Sequence, residues 1–208
     1  MKQFIRQNSW FIVGYFVVLT VASLFLLLSS SETVTLSINQ MHGVALDEIF
    51  KFTTHVGEAW FGVPICIYLL IVNKKWGITA TFVGIISTLI TQFNKHFVFD
   101  NALRPSLLLK DYKLNFVDGV EILQYNSFPS GHTTFAFAIF TCLALFYKKP
   151  WQQLFFLFSA VAVAFSRIYL LQHFLRDTVV GSLIGVFCAL VCYWFIIEQK
   201  SKTLNSLL

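Results

Sequence analysis

Residues 126–147, NSFPSGHTTFAFAIFTCLALFY, place a polar cap directly against a long apolar run. Pro129 restricts the backbone before the run, Ser130 is a favourable helix N-cap, and Gly131 allows close approach to a ligand. The apolar residues that follow are typical of a helix that is buried or crosses a membrane. The stretch therefore predicts a helix whose first turn carries polar function.

The composition indicates a membrane protein. Apolar residues make up 57% of the 208 positions and charged residues 12%, which is too apolar for a soluble surface. A spanning helix needs about 20 mostly apolar residues. We therefore predict an all-α, polytopic membrane protein, with a single domain over residues 1–208 that forms a bundle of six transmembrane helices. The predicted spans are residues 10–28, 59–73, 77–99, 131–147, 151–171 and 175–197.

The segment between the first two spans has a mixed character. Met41, Ala45, Ile49 and Phe52 are spaced as one helical face, with charged residues between them. This pattern predicts an amphipathic helix over residues 36–56 that lies along the membrane interface.

Basic residues indicate the orientation of the bundle. Four basic pairs fall on one side of the predicted topology, and the positive-inside rule assigns that side to the cytoplasm. Both termini are then cytoplasmic, and the opposite helix ends face outward. Because the net charge of +5 is spread over these pairs, we expect no nucleic-acid partner. The pairs are Lys2 and Arg6, Lys74 and Lys75, Lys148 and Lys149, and Lys200 and Lys202.

The PSGH tetrapeptide, residues 129–132, has the outline of an anion site. The first backbone N–H groups of a helix have no internal partner, and the helix dipole adds positive charge there, so phosphate is favoured. His132 in the first turn could give a proton to a group leaving phosphorus. A capped helix with an incidental histidine is the alternative.

A second polar cluster lies at the outer end of the last two predicted spans, in residues 166–177, SRIYLLQHFLRD. Ionisable side chains at membrane depth are costly and are candidates for function. His173 and Asp177 are four residues apart, so on one helix they share a face and the carboxylate can orient the imidazole. The alternative is a His–Asp pair that only ties two helices together. Arg167 belongs to the same cluster.

A third cluster follows the third predicted span. Arg104 precedes Pro105 and is therefore biased away from helical conformation, which places its guanidinium in a loop as a bidentate phosphate ligand. Lys95 is either a further ligand or a side chain that extends to the interface. By the predicted topology all three clusters lie at the outer face.

Together these elements resemble the type 2 phosphatidic acid phosphatase (PAP2) superfamily of membrane lipid phosphatases. The family pattern is a Lys followed by six residues and Arg-Pro, then Pro-Ser-Gly-His, and then Ser-Arg, five residues, His, three residues and Asp. The second and third elements match here as residues 129–132 and 166–177.

The first element departs from the pattern, because eight residues separate Lys95 from Arg104. A nine-residue step on a continuous helix lands on the opposite face. We therefore expect a backbone break near Asp100 and Asn101, or else Lys95 is not a ligand.

The resemblance implies a mechanism without metal or other cofactor. His173 would attack phosphorus, Asp177 would orient it, and His132 would protonate the leaving oxygen and then activate water. The substrate and partner would be a phosphorylated lipid in the bacterial inner membrane, with the active site on the periplasmic side. The implied phosphate-binding groups are Lys95, Arg104, Arg167 and the backbone N–H groups of Ser130 and Gly131.

Other possibilities stay open from the sequence. A transporter or channel with an outward-facing anion site would also need intramembrane charges. The lipid could be undecaprenyl pyrophosphate, phosphatidylglycerol phosphate, phosphatidic acid or a lipid A phosphate, and the oligomeric state is undetermined. The four cysteines, Cys66, Cys142, Cys188 and Cys192, are expected to fill the core rather than bind metal.

Overall fold

The computed structural model describes residues 2–198, and this part of the chain is helical without a β-strand. It confirms the predicted all-α class for these residues. Two helices end in a π-helical turn, α6 at Asn94–Val98 and α10 at Trp194–Glu198. The helices are α1 Lys2–Gln7, α2 Ser9–Leu28, α3 Ser31–Asn39, α4 Val44–His55, α5 Ala59–Val72, α6 Lys74–Phe93, α7 Pro105–Leu108, α8 Gly131–Phe146, α9 Pro150–Tyr169 and α10 Leu175–Tyr193.

Helix α8 is the centre of the bundle. It packs against α6, α9 and α10, and its residues are buried on nearly every side. Gly181 and Gly185 on α10 face α8, and a Cβ at Gly185 would lie 2.4 Å from the backbone oxygen of Thr134. Small residues at this spacing let two membrane helices approach closely. The two helices therefore meet backbone to backbone.

Apolar side chains also cover the outside of the bundle. Leu28, Ile71 and Phe187 are 82%, 80% and 66% exposed. Large continuous apolar surfaces are rare on soluble monomers. They fit contact with lipid, and the chain is a multi-pass membrane protein.

The number of spans differs from the predicted six. In residues 2–198, four helical stretches are long and apolar enough to cross a membrane, and α4 with α5, bent by 54°, would make a fifth. Helix α8 has 16 residues and is about 24 Å long, which is short for a hydrocarbon core of about 30 Å. Six spans are therefore not confirmed. The four stretches are Ser9–Leu28, Lys74–Val98, Pro150–Tyr169 and Leu175–Ile197.

The predicted single helix over residues 36–56 is wrong. The chain forms α3 and α4 instead, with a turn between them at residues 40–43. Met41 lies in this turn and cannot share a helical face with the later residues. Ile49 and Phe52 do lie on α4, where they are 54% and 74% exposed. The extended backbone of Gly43, the N-cap of α4, separates the two helices.

One end of the bundle gathers the basic residues. The Lys148 ammonium donates to Asn8 Oδ1 at 3.0 Å, which joins the α8–α9 connection to the N-terminal segment. The ring of Tyr193 packs at a tilt against those of Phe4 and Trp76, with centroids 5.0 and 5.6 Å apart, so the end of α10 lies near the start of α6. Lys200 and Lys202 lie outside the described residues.

The α8–α10 contact predicts the effect of adding one methyl group. We expect Gly185→Ala to lower the free energy of unfolding by about 1–3 kcal/mol, because its Cβ meets backbone atoms that cannot rotate away. Thermal melting in detergent measures the change. Gly43→Ala is the matched control, since a Cβ there meets nothing within 4 Å. Equal melting temperatures for the two variants would contradict the close packing.

Candidate active site

The end of the bundle opposite the basic pairs holds a cavity of about 490 Å³. Side chains from all three sequence clusters line it, although they come from separate helices and connections. The cavity is lined by the ends of α6 and α9, the start of α8, the residue before α7 and the α9–α10 connection. The predicted site residues that line it are Lys95, Arg104, Gly131, His132, Arg167 and His173.

His173 is 1% exposed and lies in the connection before α10, which begins at Leu175. Its proximity to Asp177 therefore comes from the fold of this connection, in which the His173 N–H donates to the Arg167 carbonyl at 3.1 Å. The predicted common helix face is wrong, but the pairing exists. His173 Nδ1 is 3.5 Å from Asp177 Oδ2.

Asp177 does not line the cavity, and groups other than His173 donate hydrogen bonds to its carboxylate. Its Oδ2 accepts a hydrogen bond from the Ser127 hydroxyl at 2.5 Å and one from the Phe174 N–H at 3.0 Å. With two donors on this oxygen and the imidazole at ion-pair distance, the carboxylate is immobilised next to His173 Nδ1. The other ring nitrogen, Nε2, is the one left for a substrate. Sequence reasoning missed Ser127, although it lies two residues before Pro129.

The surroundings of His173 favour its neutral form. Burial lowers the pKa of His173 well below its usual value, and the positive charges of Arg104, Lys95 and Arg167 lower it further. A neutral imidazole has a free lone pair. The environment of His173 therefore favours the protonation state that a nucleophile requires.

Arg104 and Arg167 are tied together by Gln172. Gln172 Oε1 accepts from Arg104 Nη1 at 3.0 Å and from Arg167 Nη2 at 3.3 Å, while its Nε2 donates to the Glu121 carbonyl at 2.8 Å. Arg167 also donates to the Thr54 hydroxyl. One amide thus sets the spacing of two guanidinium groups and attaches them to the long loop. Sequence reasoning missed Gln172, whose position between Arg167 and His173 was the available signal.

Arg104 stays charged despite its burial. Burial lowers the pKa of Arg104 to about 10, opposed by the negative charges of Asp177 and Glu121. That value leaves the guanidinium protonated at neutral pH. Arg104 also donates from Nε to the Tyr125 carbonyl at 2.8 Å, which fixes the plane of the group.

Lys95 reaches the cavity by a local change in the helix. The last turn of α6 widens to a π-helical turn at Asn94–Val98, and the chain then reverses at Asn101, which has a φ of 60°. This break near Asp100 and Asn101 is the one that the longer Lys-to-Arg spacing predicted. Lys95 is 9% exposed and lines the same cavity as Arg104. Its ammonium therefore lies inside the site rather than at the bundle surface.

The predicted anion site at the start of α8 is partly corrected. The Ser130 hydroxyl caps the helix by accepting from the Thr133 N–H, but the Ser130 backbone N–H donates to the Asp177 carbonyl at 3.1 Å. That N–H is therefore used in the fold and is not available to phosphate. Gly131 lines the cavity, and phosphate binding by its backbone N–H stays a prediction.

His132 faces a carboxylate that sequence reasoning did not find. His132 Nε2 is 3.6 Å from Glu58 Oε1, and both side chains are about one-third exposed. Glu58 is the residue before α5, so it stands at the mouth of an apolar run in the same way as PSGH. That position was the signal in the sequence.

Metal ligands are not assembled in residues 2–198, where no group of three or more His, Cys, Asp or Glu side chains is placed to hold an ion. Cys142, Cys188 and Cys192 are buried among the helices, and Cys66 is half-buried.

A family model and several known proteins resemble this chain. The model of the PAP2 superfamily matches residues 76–201. Undecaprenyl-diphosphatase of Sulfolobus acidocaldarius is 27% identical over 71% of this chain and 69% of its own length. Lipid A 4'-phosphatase of Bacteroides thetaiotaomicron is 27% identical over 67% and 64%. The bacitracin transport permease protein BcrC of Bacillus licheniformis is 43% identical over a third of each chain.

Two solved structures share the fold. The crystal structure of Aquifex aeolicus LpxE has a TM-score of 0.69 and 29% identity, and it covers 77% of this chain and 92% of its own. The transmembrane PAP2-type phosphatidylglycerolphosphate phosphatase of Bacillus subtilis has a TM-score of 0.66 and 21% identity, with 94% and 97% covered.

The charge around His173 predicts a pH effect. Arg104→Gln removes a positive neighbour, so His173 should bind its proton at higher pH and the acidic limb of kcat/KM should move to higher pH. Profiles with p-nitrophenyl phosphate measure this, and the substrate's own ionisation cancels between variants. Lys110→Gln, an exposed change on the same loop, should leave the limb in place. An unmoved limb in Arg104→Gln would contradict the assignment.

The bridge through Gln172 predicts a loss of anion affinity. In Gln172→Leu both guanidinium groups lose their shared acceptor, so the inhibition constant of vanadate, a phosphate mimic, should rise about tenfold, which is roughly 1.4 kcal/mol. Inhibition of p-nitrophenyl phosphate hydrolysis gives the constant. Gln124→Leu makes the same chemical change at an exposed position of the loop and should have no effect. Equal inhibition constants in the two variants would show that the bridge does not orient the arginines.

Proposed function

The chain belongs to the PAP2 superfamily and is a hydrolase of phosphate or diphosphate bonds, and from this premise we propose that it removes phosphate from a membrane lipid through a phosphohistidine intermediate. The observation that carries the proposal is the meeting of His132 and His173 with three buried cationic side chains in one cavity.

The first chemical step transfers the phosphoryl group to His173. Nε2 of His173 attacks phosphorus, and the bond from phosphorus to the leaving oxygen breaks as the N–P bond forms. His132 gives its proton to that oxygen, which leaves as an alcohol or, from a diphosphate, as a lipid monophosphate. Asp177 balances the positive charge that develops on His173.

The second step returns the enzyme to its starting state. His132, now neutral, accepts a proton from water while the water oxygen attacks phosphorus. The N–P bond breaks, inorganic phosphate leaves, and His173 recovers its neutral ring. No electrons are exchanged with another group, and the proton that His132 gave to the lipid is replaced by the one from water.

The cations stabilise the charge of the transferring group. Lys95, Arg104 and Arg167 line the cavity, and the Gly131 N–H stands at the positive end of α8. Uncatalysed phosphate monoester hydrolysis is so slow that enzymes accelerate it by up to about 10²¹-fold. Positive charges that are already in place need no reorganisation during the reaction, which makes them effective in this role.

An apolar cavity beside the site supports a lipid as the substrate. A second space of about 440 Å³ lies between α5 and α6 and shares Ala59, Thr88 and Phe135 with the catalytic cavity. Its lining is almost entirely hydrocarbon, as a lipid tail requires. A phosphate in the polar cavity could thus keep its tail in the apolar one. Relatives named for undecaprenyl diphosphate and lipid A make a lipid diphosphate or a lipid A phosphate the first substrates to test, followed by phosphatidylglycerol phosphate and phosphatidic acid.

We place the site on the outer, periplasmic side of a bacterial inner membrane, with both termini cytoplasmic. The support is electrostatic. Lys2, Arg6, Lys74, Lys75, Lys148 and Lys149 belong to the end opposite the cavity, and basic loops remain in the cytoplasm.

Transport is a weaker explanation of the same charges. A conducting path needs polar groups through the depth of the bundle. Here the middle of the bundle is packed with apolar side chains such as Phe137, Leu157 and Ala189, whereas the buried charged groups gather at the cavity end. Hydrolysis requires only the latter arrangement.

Substitution of the two histidines tests the mechanism. His173→Ala should lower kcat by at least about 10³-fold and form no phosphoenzyme, because it lacks the nucleophile. His132→Ala should still be labelled by ³²P-p-nitrophenyl phosphate, whose leaving group needs no proton, and should lose the label slowly. Acid-labile, alkali-stable label on the purified protein is the measurement.

His96→Ala is the matched control, since His96 is exposed beside Lys95 and does not line the cavity. Label on His173→Ala, or its wild-type turnover on all four lipids, would contradict the mechanism. Hydrolysis of a membrane-impermeant lipid phosphate by intact spheroplasts tests the proposed side, and hydrolysis only after lysis would overturn it.

A further inference from the structure

Each histidine in the cavity has a carboxylate of its own. His173 Nδ1 is 3.5 Å from Asp177, and His132 Nε2 is 3.6 Å from Glu58. Asp177 belongs to the motif that the sequence revealed, whereas Glu58 comes from the distant α4–α5 bend. Glu58 has no part in the two phosphoryl-transfer steps.

Glu58 is fixed rather than mobile. Its Oε2 accepts the Trp60 indole N–H at 2.6 Å, and its Oε1 lies 2.8 Å from His55 Nδ1. Oε1 is also the atom that faces His132. Three groups therefore determine where the carboxylate stands.

The bend that carries Glu58 is packed directly on His132. A Cβ at Gly57 would lie 3.0 Å from the His132 Cβ and 2.7 Å from the Val163 side chain. Only glycine permits this approach, so the backbone next to Glu58 touches the first turn of α8. The distance from Glu58 to His132 is thus set by backbone packing, not by a flexible side chain alone.

A carboxylate at this place disfavours substrate binding. Among the described residues that line the cavity, Glu58 is the one carboxylate, and it would repel a phosphate dianion. A carboxylate that weakens phosphate binding is expected to favour a later step of the reaction. Its nearest neighbour in the cavity, His132, is the group that must carry a proton into the reaction.

The other charges around His132 oppose that proton. Burial disfavours a protonated imidazole at His132, and cationic side chains that face the cavity from the end of α6, the residue before α7 and α9 disfavour it further. The proton of His132 therefore needs a negative charge close by. Glu58 supplies this charge from the start of α5. The titratable and charged groups around His132 are Glu58, His55, Lys95, Arg104, Arg167 and His173.

We propose that Glu58 is the positioning residue for His132, and that its charge favours the protonated imidazole and orients it to donate to the leaving oxygen. The inference rests on the proposed phosphatase function. Glu58 itself neither gains nor loses a proton in the cycle. His132 gives its proton to the leaving oxygen and regains one from water, and Glu58 stabilises the protonated state before and after.

Leaving-group dependence separates this role from a structural one. An alkoxide needs a proton to leave, whereas p-nitrophenolate does not. Glu58→Gln should therefore lower kcat/KM for dodecyl phosphate by about 10- to 100-fold and change kcat/KM for p-nitrophenyl phosphate by less than about threefold. The amide oxygen can still accept from Trp60, so the fold should persist, and the melting temperature checks this.

Two further readouts follow from the charge. With dodecyl phosphate, the basic limb of kcat/KM should move to lower pH by about one unit, because His132 loses its proton more readily without the counter-charge. Vanadate should inhibit Glu58→Gln at an equal or lower concentration than wild type, because a repulsive charge has been removed. Glu48→Gln, which removes an exposed carboxylate from α4, is the matched control and should change none of these values.

The outcomes are separable. Equal losses on both substrates together with weaker vanadate inhibition would show that Glu58 only maintains structure, and no loss on either would show that His132 does not depend on it. Either result overturns this proposal. Both leave the phosphohistidine mechanism intact if His173→Ala still abolishes the phosphoenzyme, whereas a labelled His173→Ala contradicts the mechanism itself.

Discussion

The backbone contact between α8 and α10 is the constraint on which the site depends. Gly181 and Gly185 bring the two helices so close that a Cβ at Gly181 would lie 2.8 Å from the Ser130 carbonyl. At the top of this contact the Ser130 N–H donates to the Asp177 carbonyl at 3.1 Å. One hydrogen bond thus couples the start of α8, which carries His132, to the residue beside His173. The two histidines are therefore positioned by the same helix contact.

A second constraint is the concentration of positive charge. Lys95, Arg104 and Arg167 are 9%, 5% and 6% exposed, and so many buried cations are costly without compensation. Backbone carbonyls, Gln172 and the Thr54 hydroxyl satisfy part of their hydrogen-bonding capacity. Their positive charge is not neutralised by these uncharged partners and acts on the cavity. A phosphate dianion would supply the missing negative charge, which is the physical reason for proposing this class of ligand.

The two carboxylates of the site lie apart, one beside each histidine. Asp177 is fully buried and held by Ser127 and the Phe174 N–H, whereas Glu58 is one-third exposed and held by Trp60 and His55. Each stands beside one histidine, and the two pairs differ in how deeply they are buried. In the proposed mechanism His173 acts without a proton and His132 with one. Two similar acid–imidazole pairs can therefore take opposite chemical roles in one reaction.

Sequence alone determined the local chemistry. An apolar composition, a PSGH cap and the Ser166–Asp177 spacing are patterns within short segments, so they identified an all-α membrane protein and the residues His132, Arg167, His173 and Asp177. Tertiary structure decided what depends on contacts between distant segments. Packing separates α3 from α4 and places Glu58 beside His132. It also produces the hydrogen bond from the Ser130 N–H to the Asp177 carbonyl and the Gln172 bridge between the two arginines. The physical reason is that helix periodicity and capping act over a few residues, whereas a close helix contact joins residues that lie far apart in the chain.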